Sequence, residues 1–91
     1  MNIKLVKRYE RVFKGVANKN RLRILDYISK NDETFVWVIS QNLDIDFRNT
    51  SQHLARLEKA GLIEKHNVIR SVYHSLTPYG KKILEFMNDL E

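Results

Sequence analysis

Few residues in this 91-residue chain carry reactive chemistry. His53, His66 and His74 are its three histidines, Ser51 stands two positions before His53, and there is no cysteine. A serine nucleophile needs a base within hydrogen-bond reach, and residues two apart on a helix lie on different faces, so Ser51 and His53 cannot form that pair. The absence of cysteine removes disulfides, thiolate metal sites and thiol catalysis together. No Gly-rich phosphate loop or spaced set of metal ligands occurs. The residues argue against an enzyme, and no cofactor is expected. A different chemistry is better provided for. Between Asp46 and Gly61, Leu54 and Leu57 define the inside of a helix, so Arg48, Asn49, Gln52, His53 and Arg56 point outward. Arginine pairs bidentately with guanine O6 and N7, and asparagine or glutamine with adenine N6 and N7, each good pair contributing about 1–3 kcal/mol of discrimination. Thr50 and Ser51, at the edge of that face, are expected to touch phosphate.

The elements that would position these groups follow from periodicity. Leu5, Tyr9, Val12, Phe13 and Val16 recur at three- and four-residue steps, which predicts a first helix from Ile3 to Ala17. Asn18 or Asn20 can cap a second helix running through Ser29, with Leu22, Leu25 and Ile28 facing inward, Ile24 beside them, and Asn31-Asp32 ending it. Glu33 to Leu43 is ambiguous, because Phe35 to Ile39 is β-branched and aromatic, whereas Val36, Ile39 and Leu43 keep helical spacing; we read a third helix. Leu43-Asp44-Ile45-Asp46 then connects to the best-defined helix, capped by Asp46, with Phe47, Thr50, Leu54 and Leu57 inside. Gly61 closes it in a left-handed cap from which Leu62 packs back. Leu62–His66 and Ser71–Leu76 read as two strands, and Thr77-Pro78 opens a last helix. Because the hairpin has no glycine, a tight two-residue turn is not expected at Val68-Ile69. The order helix, helix, helix, short turn, helix, hairpin, helix is mostly α with a small β-hairpin, the winged helix-turn-helix arrangement, in which one helix lies in a major groove about 12 Å wide.

Size and charge are consistent with this reading. Ninety-one residues make one domain, 1–91, able to bury roughly two-thirds of its unfolded surface. The longest apolar run is five residues, Phe35 to Ile39, short of the ~20 needed to span a membrane; a cytoplasmic protein without a membrane partner is expected. Sixteen Lys and Arg against eleven Asp and Glu give a net charge of +5, as nucleic-acid-binding domains often have. The excess is N-terminal: residues 1–23 hold eight Lys/Arg against Glu10 alone. Lys4, Lys7, Arg8, Arg11 and Lys14 form one stripe on the first helix, either a solvated face or a phosphate contact flanking a DNA site.

Three stretches in the expected order carry a family resemblance. Val12-Phe13-Lys14-Gly15-Val16-Ala17-Asn18-Lys19-Asn20-Arg21-Leu22-Arg23-Ile24-Leu25 resembles the junction of helices one and two in ArsR-type winged-helix repressors. Thr50 to Ile63 resembles their recognition helix and its exit into the wing, and Ser71-Val72-Tyr73-His74-Ser75-Leu76-Thr77 the returning wing strand. The resemblance implies a homodimeric transcriptional regulator whose first and last helices build the two-fold interface and whose partner is double-stranded DNA carrying an inverted repeat; a repressor is expected over an activator because so small a domain has little spare surface for recruiting polymerase. Two amphipathic terminal helices independently point to a dimer. Leu5, Tyr9, Val12, Trp37, Ile83, Phe86, Met87 and Leu90 are the expected interface residues, Trp37 because it falls outside the inner face of its helix. Lys65, His66 and Arg70 of the hairpin could grip phosphate or reach the minor groove. Asp44 stands where the family often has glycine, but Asp tolerates a left-handed backbone, so the turn should survive.

Metal-responsive members of that family use a cysteine pair early in helix three, and the matching positions here hold Phe35 and Trp37. Their alternative interface site takes carboxylate and histidine ligands from the last helix, which here offers Glu85 and Asp89 without a histidine. A member that does not sense metal is expected. A small hydrophobic molecule or a partner protein at Trp37 stays open as an effector. The competing reading from another class is a winged helix that binds protein or RNA within a larger assembly, to which the charge on the first helix gives some weight.

Overall fold

The computed structural model describes residues 1–31 and 34–91. Five helices and a small sheet follow in the order α1 (Ile3–Val16), α2 (Lys19–Lys30), β1 (Thr34–Phe35), α3 (Val36–Leu43), α4 (Phe47–Lys59), β2 (Ile63–Val68), β3 (Ser71–Leu76) and α5 (Pro78–Asp89). Short polar side chains start most of the helices by accepting otherwise unpaired backbone N–H groups. Asn18 is the cap of α2, taking the N–H groups of Asn20 and Arg21 at 2.9 and 3.1 Å. Asp46 takes that of Asn49 at 2.9 Å, and Thr77 that of Gly80 at 3.0 Å, with Pro78 in the first helical position.

The core is built around Ile24, Leu25 and Ile28 of α2, with Ile39, Leu54, Leu57, Leu62 and Ile63 packed against them. Leu25 and Ile28 are buried with Ile24 beside them, and only Leu22, expected inside, is exposed, because the face that α2 turns to α4 and the sheet is centred on Ile24 and Ile28. Ile83, Leu84 and Met87 of α5 are only partly buried against this core.

The ambiguous third segment divides. Thr34 and Phe35 pair antiparallel with His74 and Tyr73, adding a third strand to the expected hairpin in the order β1-β3-β2, and the helix begins only at Val36. β-Branched and aromatic preference decides the first two residues because an open edge of β3 is there to receive them. Glu33, the expected start of that helix, and Asp32 lie outside the described residues.

The wing corrects a second expectation. β2 and β3 pair from Ile63↔Leu76 to Val68↔Ser71, leaving only Ile69 and Arg70 as a two-residue turn. Ile69 adopts φ 56° without glycine's freedom, a costly conformation for a β-branched residue. Its side chain is 98% exposed, so the six-pair ladder and not packing holds the turn closed.

Candidate nucleic-acid interface

The short turn between α3 and α4 sets the direction of α4. Asp44 takes the left-handed conformation, φ 54° and ψ 49°, as its side-chain type permits. The Ile45 N–H donates to the Ser40 carbonyl at 3.1 Å, and Arg23 Nη2 of α2 donates to the Leu43 carbonyl at 2.7 Å, tying the end of α3 to α2. At the other end, Gly61 N–H donates to the Glu58 carbonyl at 2.9 Å and Leu62 N–H to the Leu57 carbonyl at 3.0 Å, the hydrogen-bond pair of a Schellman closure. Leu62 is fully buried, so α4 is fixed at both ends.

Between those anchors, Arg48, Asn49, Gln52 and Arg56 are exposed, and Ser51 and His53 are half-buried on the flanks. Thr50 must be removed from the expected DNA contacts. It is 0% exposed, and its hydroxyl donates to the Asp46 carbonyl at 2.9 Å, because it sits one turn before Leu54 on the inner face. Phe47, expected inside, is 56% exposed; as the first helical residue it precedes the part of α4 that the core covers. Ala55 was not singled out in the sequence, although it shares the exposed ridge of Arg48, Gln52 and Lys59 at helical spacing. Its small size gave no polar signal.

The wing stands beside this helix. Lys65 is exposed and cross-strand from His74, and Arg70 is exposed at the tip. A cleft of about 430 Å³ lies between the hairpin and α4, lined by Ser51, Leu54 and Ala55 on one side and Lys65, Val72 and His74 on the other. His66 is engaged within the hairpin: its Nε2 lies 2.8 Å from Ser75 Oγ, and its ring stacks on Tyr73 at 4.7 Å.

His74 is 4% exposed, and its Nδ1 is buried without a hydrogen-bond partner. Burial holds its imidazole below the ordinary histidine range, with Lys65 and His66 assisting against Glu58 and the Thr34 backbone. His53 is also lowered, by burial and then by Arg21 and Arg56. For a group whose folded pKa is depressed in this way, the unfolded chain binds protons more readily. The stability owed to the neutral rings is therefore complete above the unfolded value of 6.5 and falls as acid is added below it. Thermal midpoints should drop between about pH 7.5 and about pH 5.5, and less steeply in His74→Gln; an identical pH slope in the variant would contradict this role for His74.

The expected interface residues divide. Tyr9 of α1 and Phe86 and Leu90 of α5 are exposed, and Leu5, Ile83 and Met87 half-buried. Val12 is a correction: at 3% exposure it belongs to the core of its own chain, because α1 lays that side on α4. Trp37 is 58% exposed and lies with Phe35, Phe47, Arg70 and Val72 beside the outer part of the wing, at the opposite end of α4 from α1.

Comparison with known proteins decides among the readings of this architecture. The profile of bacterial regulatory proteins of the arsR family matches residues 18–65, just over half of the chain, from the cap of α2 into the wing. The chain belongs to the ArsR family. The matched residues hold α2, α3, α4 and the start of the first strand of the wing, the helix-turn-helix part of this fold. Among its relatives, the cadmium resistance transcriptional regulatory protein CadC of Listeria innocua is 33% identical over 75 residues, 82% of this chain and 61% of that protein. This ArsR-family chain therefore spans about three-fifths of the length of the curated relatives it matches. HlyU from Vibrio cholerae superposes with a TM-score of 0.84 at 29% identity, covering 98% of this chain and 97% of that one. The homodimeric winged helix-turn-helix DNA-binding domain from Mycobacterium bovis superposes with a TM-score of 0.83 at 25% identity, covering 96% and 80%. In this family member no helix among the described residues is long and apolar enough to cross a membrane.

Proposed function

We propose that residues 1–91 act as one winged-helix domain that dimerises through α1 and α5 and represses transcription by placing α4 in the major groove of an inverted-repeat operator. The observation that carries the reading is the ridge on α4. Arg48 and Gln52, one turn apart, are exposed, while Leu54, Leu57 and Thr50 anchor the opposite face at 2% exposure or less. Asn49, Ser51, His53 and Arg56 flank the ridge, and Lys65 and Arg70 of the wing supply the phosphate or minor-groove contacts. Ala55 sits where its methyl could meet a thymine methyl.

Self-association is supported by the exposed apolar stripe of Val6, Tyr9 and Phe13 on α1 and of Phe86 and Leu90 on α5, and by the homodimeric M. bovis relative. Within the proposed dimer, Trp37 meets the second subunit through a region separate from that stripe, or else receives a small hydrophobic effector. The protein is further proposed not to respond to metal, because Phe35 and Trp37 offer no ligand atoms where metal-responsive members are expected to carry cysteines, although one relative is named for cadmium resistance.

Enrichment of bound sequences from a random duplex library tests DNA recognition and two-fold symmetry together. An inverted repeat with half-sites about 34 Å apart is the expected product; enrichment of nothing would overturn the reading. On the enriched duplex, Arg48→Ala and Gln52→Ala should each lose about 1–3 kcal/mol of discrimination at particular base pairs. Equal weakening on every sequence would make them phosphate contacts.

A further inference from the structure

Positive charge gathers in a groove beside the recognition helix. α1 crosses the C-terminal part of α4 where Gly15 meets Ala60. The valley between the two helices, about 470 Å³, is lined by Lys7, Arg11 and Lys14 of α1, Arg21 of α2, and Arg56 and Lys59 of α4, with Glu10 as the lining carboxylate. Its six cations and one acid amount to the entire net charge of the chain, since the other ten Lys/Arg and ten Asp/Glu cancel. Glu10 lies 3.6 Å from Lys14 in a solvent-exposed pair and so offsets little of this charge. Holding like charges together opposes folding, and α1 gains nothing from it in packing, because these side chains lie away from Val12 and Val16.

The groove is also held in shape. Arg21 Nη1 donates to the Lys14 and Gly15 carbonyls at 3.3 and 3.4 Å, fixing the end of α1 to the start of α2. Lys7, Arg11 and Lys14 are about 130° around α1 from Val6, Tyr9 and Phe13, so a second copy seated on the apolar stripe leaves the groove open. No aromatic ring lines it, so it has no platform for stacking bases and suits the sugar-phosphate backbone instead. Arg56 belongs both to this groove and to the flank of α4, which makes the basic surface continuous with the proposed reading face.

We propose that the α1–α4 groove holds backbone phosphates of the duplex next to the recognised half-site, a sequence-independent contact additional to α4 and the wing. This rests on the reading of α4 as the DNA-reading helix. The test is the triple variant Lys7→Gln/Arg11→Gln/Lys14→Gln, whose three side chains are exposed, with far-UV circular dichroism confirming the fold. Dissociation constants are measured against salt on the library-enriched duplex and on an unrelated duplex of equal length. Binding of both should weaken at least ~10-fold, the log–log salt slope should become shallower by roughly two to three per protomer, and the preference between duplexes should survive. An unchanged slope with preference intact overturns the inference and leaves the regulator reading standing. Absence of preference in the unsubstituted protein overturns that reading instead, while the slopes still test the groove. If inorganic tripolyphosphate binds the unsubstituted protein but not the variant and the duplex slopes coincide, the groove serves a small polyanion and the DNA-backbone assignment is overturned.

Discussion

Leu54→Ala is expected to weaken duplex binding without touching a base, by costing the domain about 2–5 kcal/mol. Leu54 is 2% exposed at the middle of α4, in the same core as Leu57, Ile24 and Ile39. Its loss removes apolar contacts on the side of the helix opposite Arg48 and Gln52. The backbone has little room to collapse, because the Asp46 cap and the Leu62 closure pin α4 at each end. A domain of this size has a total stability of about 5–10 kcal/mol, so such a loss consumes a large share of it and lowers the thermal midpoint by about 8–40 °C, at about 4–8 °C per kcal/mol. Circular dichroism melts beside duplex titrations check this. A Leu54→Ala protein with an unshifted midpoint and lost binding would mean that Leu54 acts at the DNA surface and that α4 is oriented differently.

Gly80→Ala should destabilise even though alanine is the better helix former. In an open helix the change would gain roughly 0.5–1 kcal/mol. Here an added Cβ would stand 2.1 Å from the Leu62 carbonyl oxygen and 3.3 Å from Leu76 Cδ2. That carbonyl accepts the Thr77 N–H at 3.1 Å, and the N–H of the same residue closes α4 onto Leu57. The Thr77 hydroxyl, in turn, donates to the Gly61 carbonyl at 2.7 Å. Relief of the clash must therefore displace the start of α5 from the exit of α4 and break these hydrogen bonds, for an expected net loss of about 1–3 kcal/mol. Because α5 carries Phe86 and Leu90, self-association measured by sedimentation should weaken as well. A higher thermal midpoint in Gly80→Ala would show that α5 can move away from Leu62 at no cost.

Both substitutions concern contacts between elements, and that is where reading the sequence reached its limit. Local signals were sufficient wherever the backbone chooses its own partner within a few residues. Asn18, Asp46 and Thr77 cap helices as short acceptor side chains before apolar periods do, Gly61 closes α4, and Asp44 takes the left-handed turn. One family stretch has a cause of nearly the same reach, since Arg21 caps the end of α1 seven residues before it, whereas Arg23 reaches the end of α3 twenty residues on.

Errors arose where a neighbour distant in the chain set the outcome. Thr34-Phe35 is a strand because β3 offers an edge, and Ile69 accepts a left-handed turn because six paired residues close the hairpin beneath it. Thr50, a polar residue at the margin of an amphipathic face, is sealed by its hydrogen bonds to the α3–α4 turn, and Val12 faces α4 and not a second subunit. The basic stripe of α1 was visible in the sequence, but Arg21, Arg56 and Lys59 join it only because α1 crosses α4 at Gly15. By itself the sequence determined the order of the helices and the hairpin, the caps of α2, α4 and α5 and the outward ridge of α4, since these depend on hydrogen bonds and periodicities spanning one or two turns. Only the tertiary structure decided which flank of each helix is buried and which charges converge, because packing brings together residues whose separation along the chain carries no signal of their meeting.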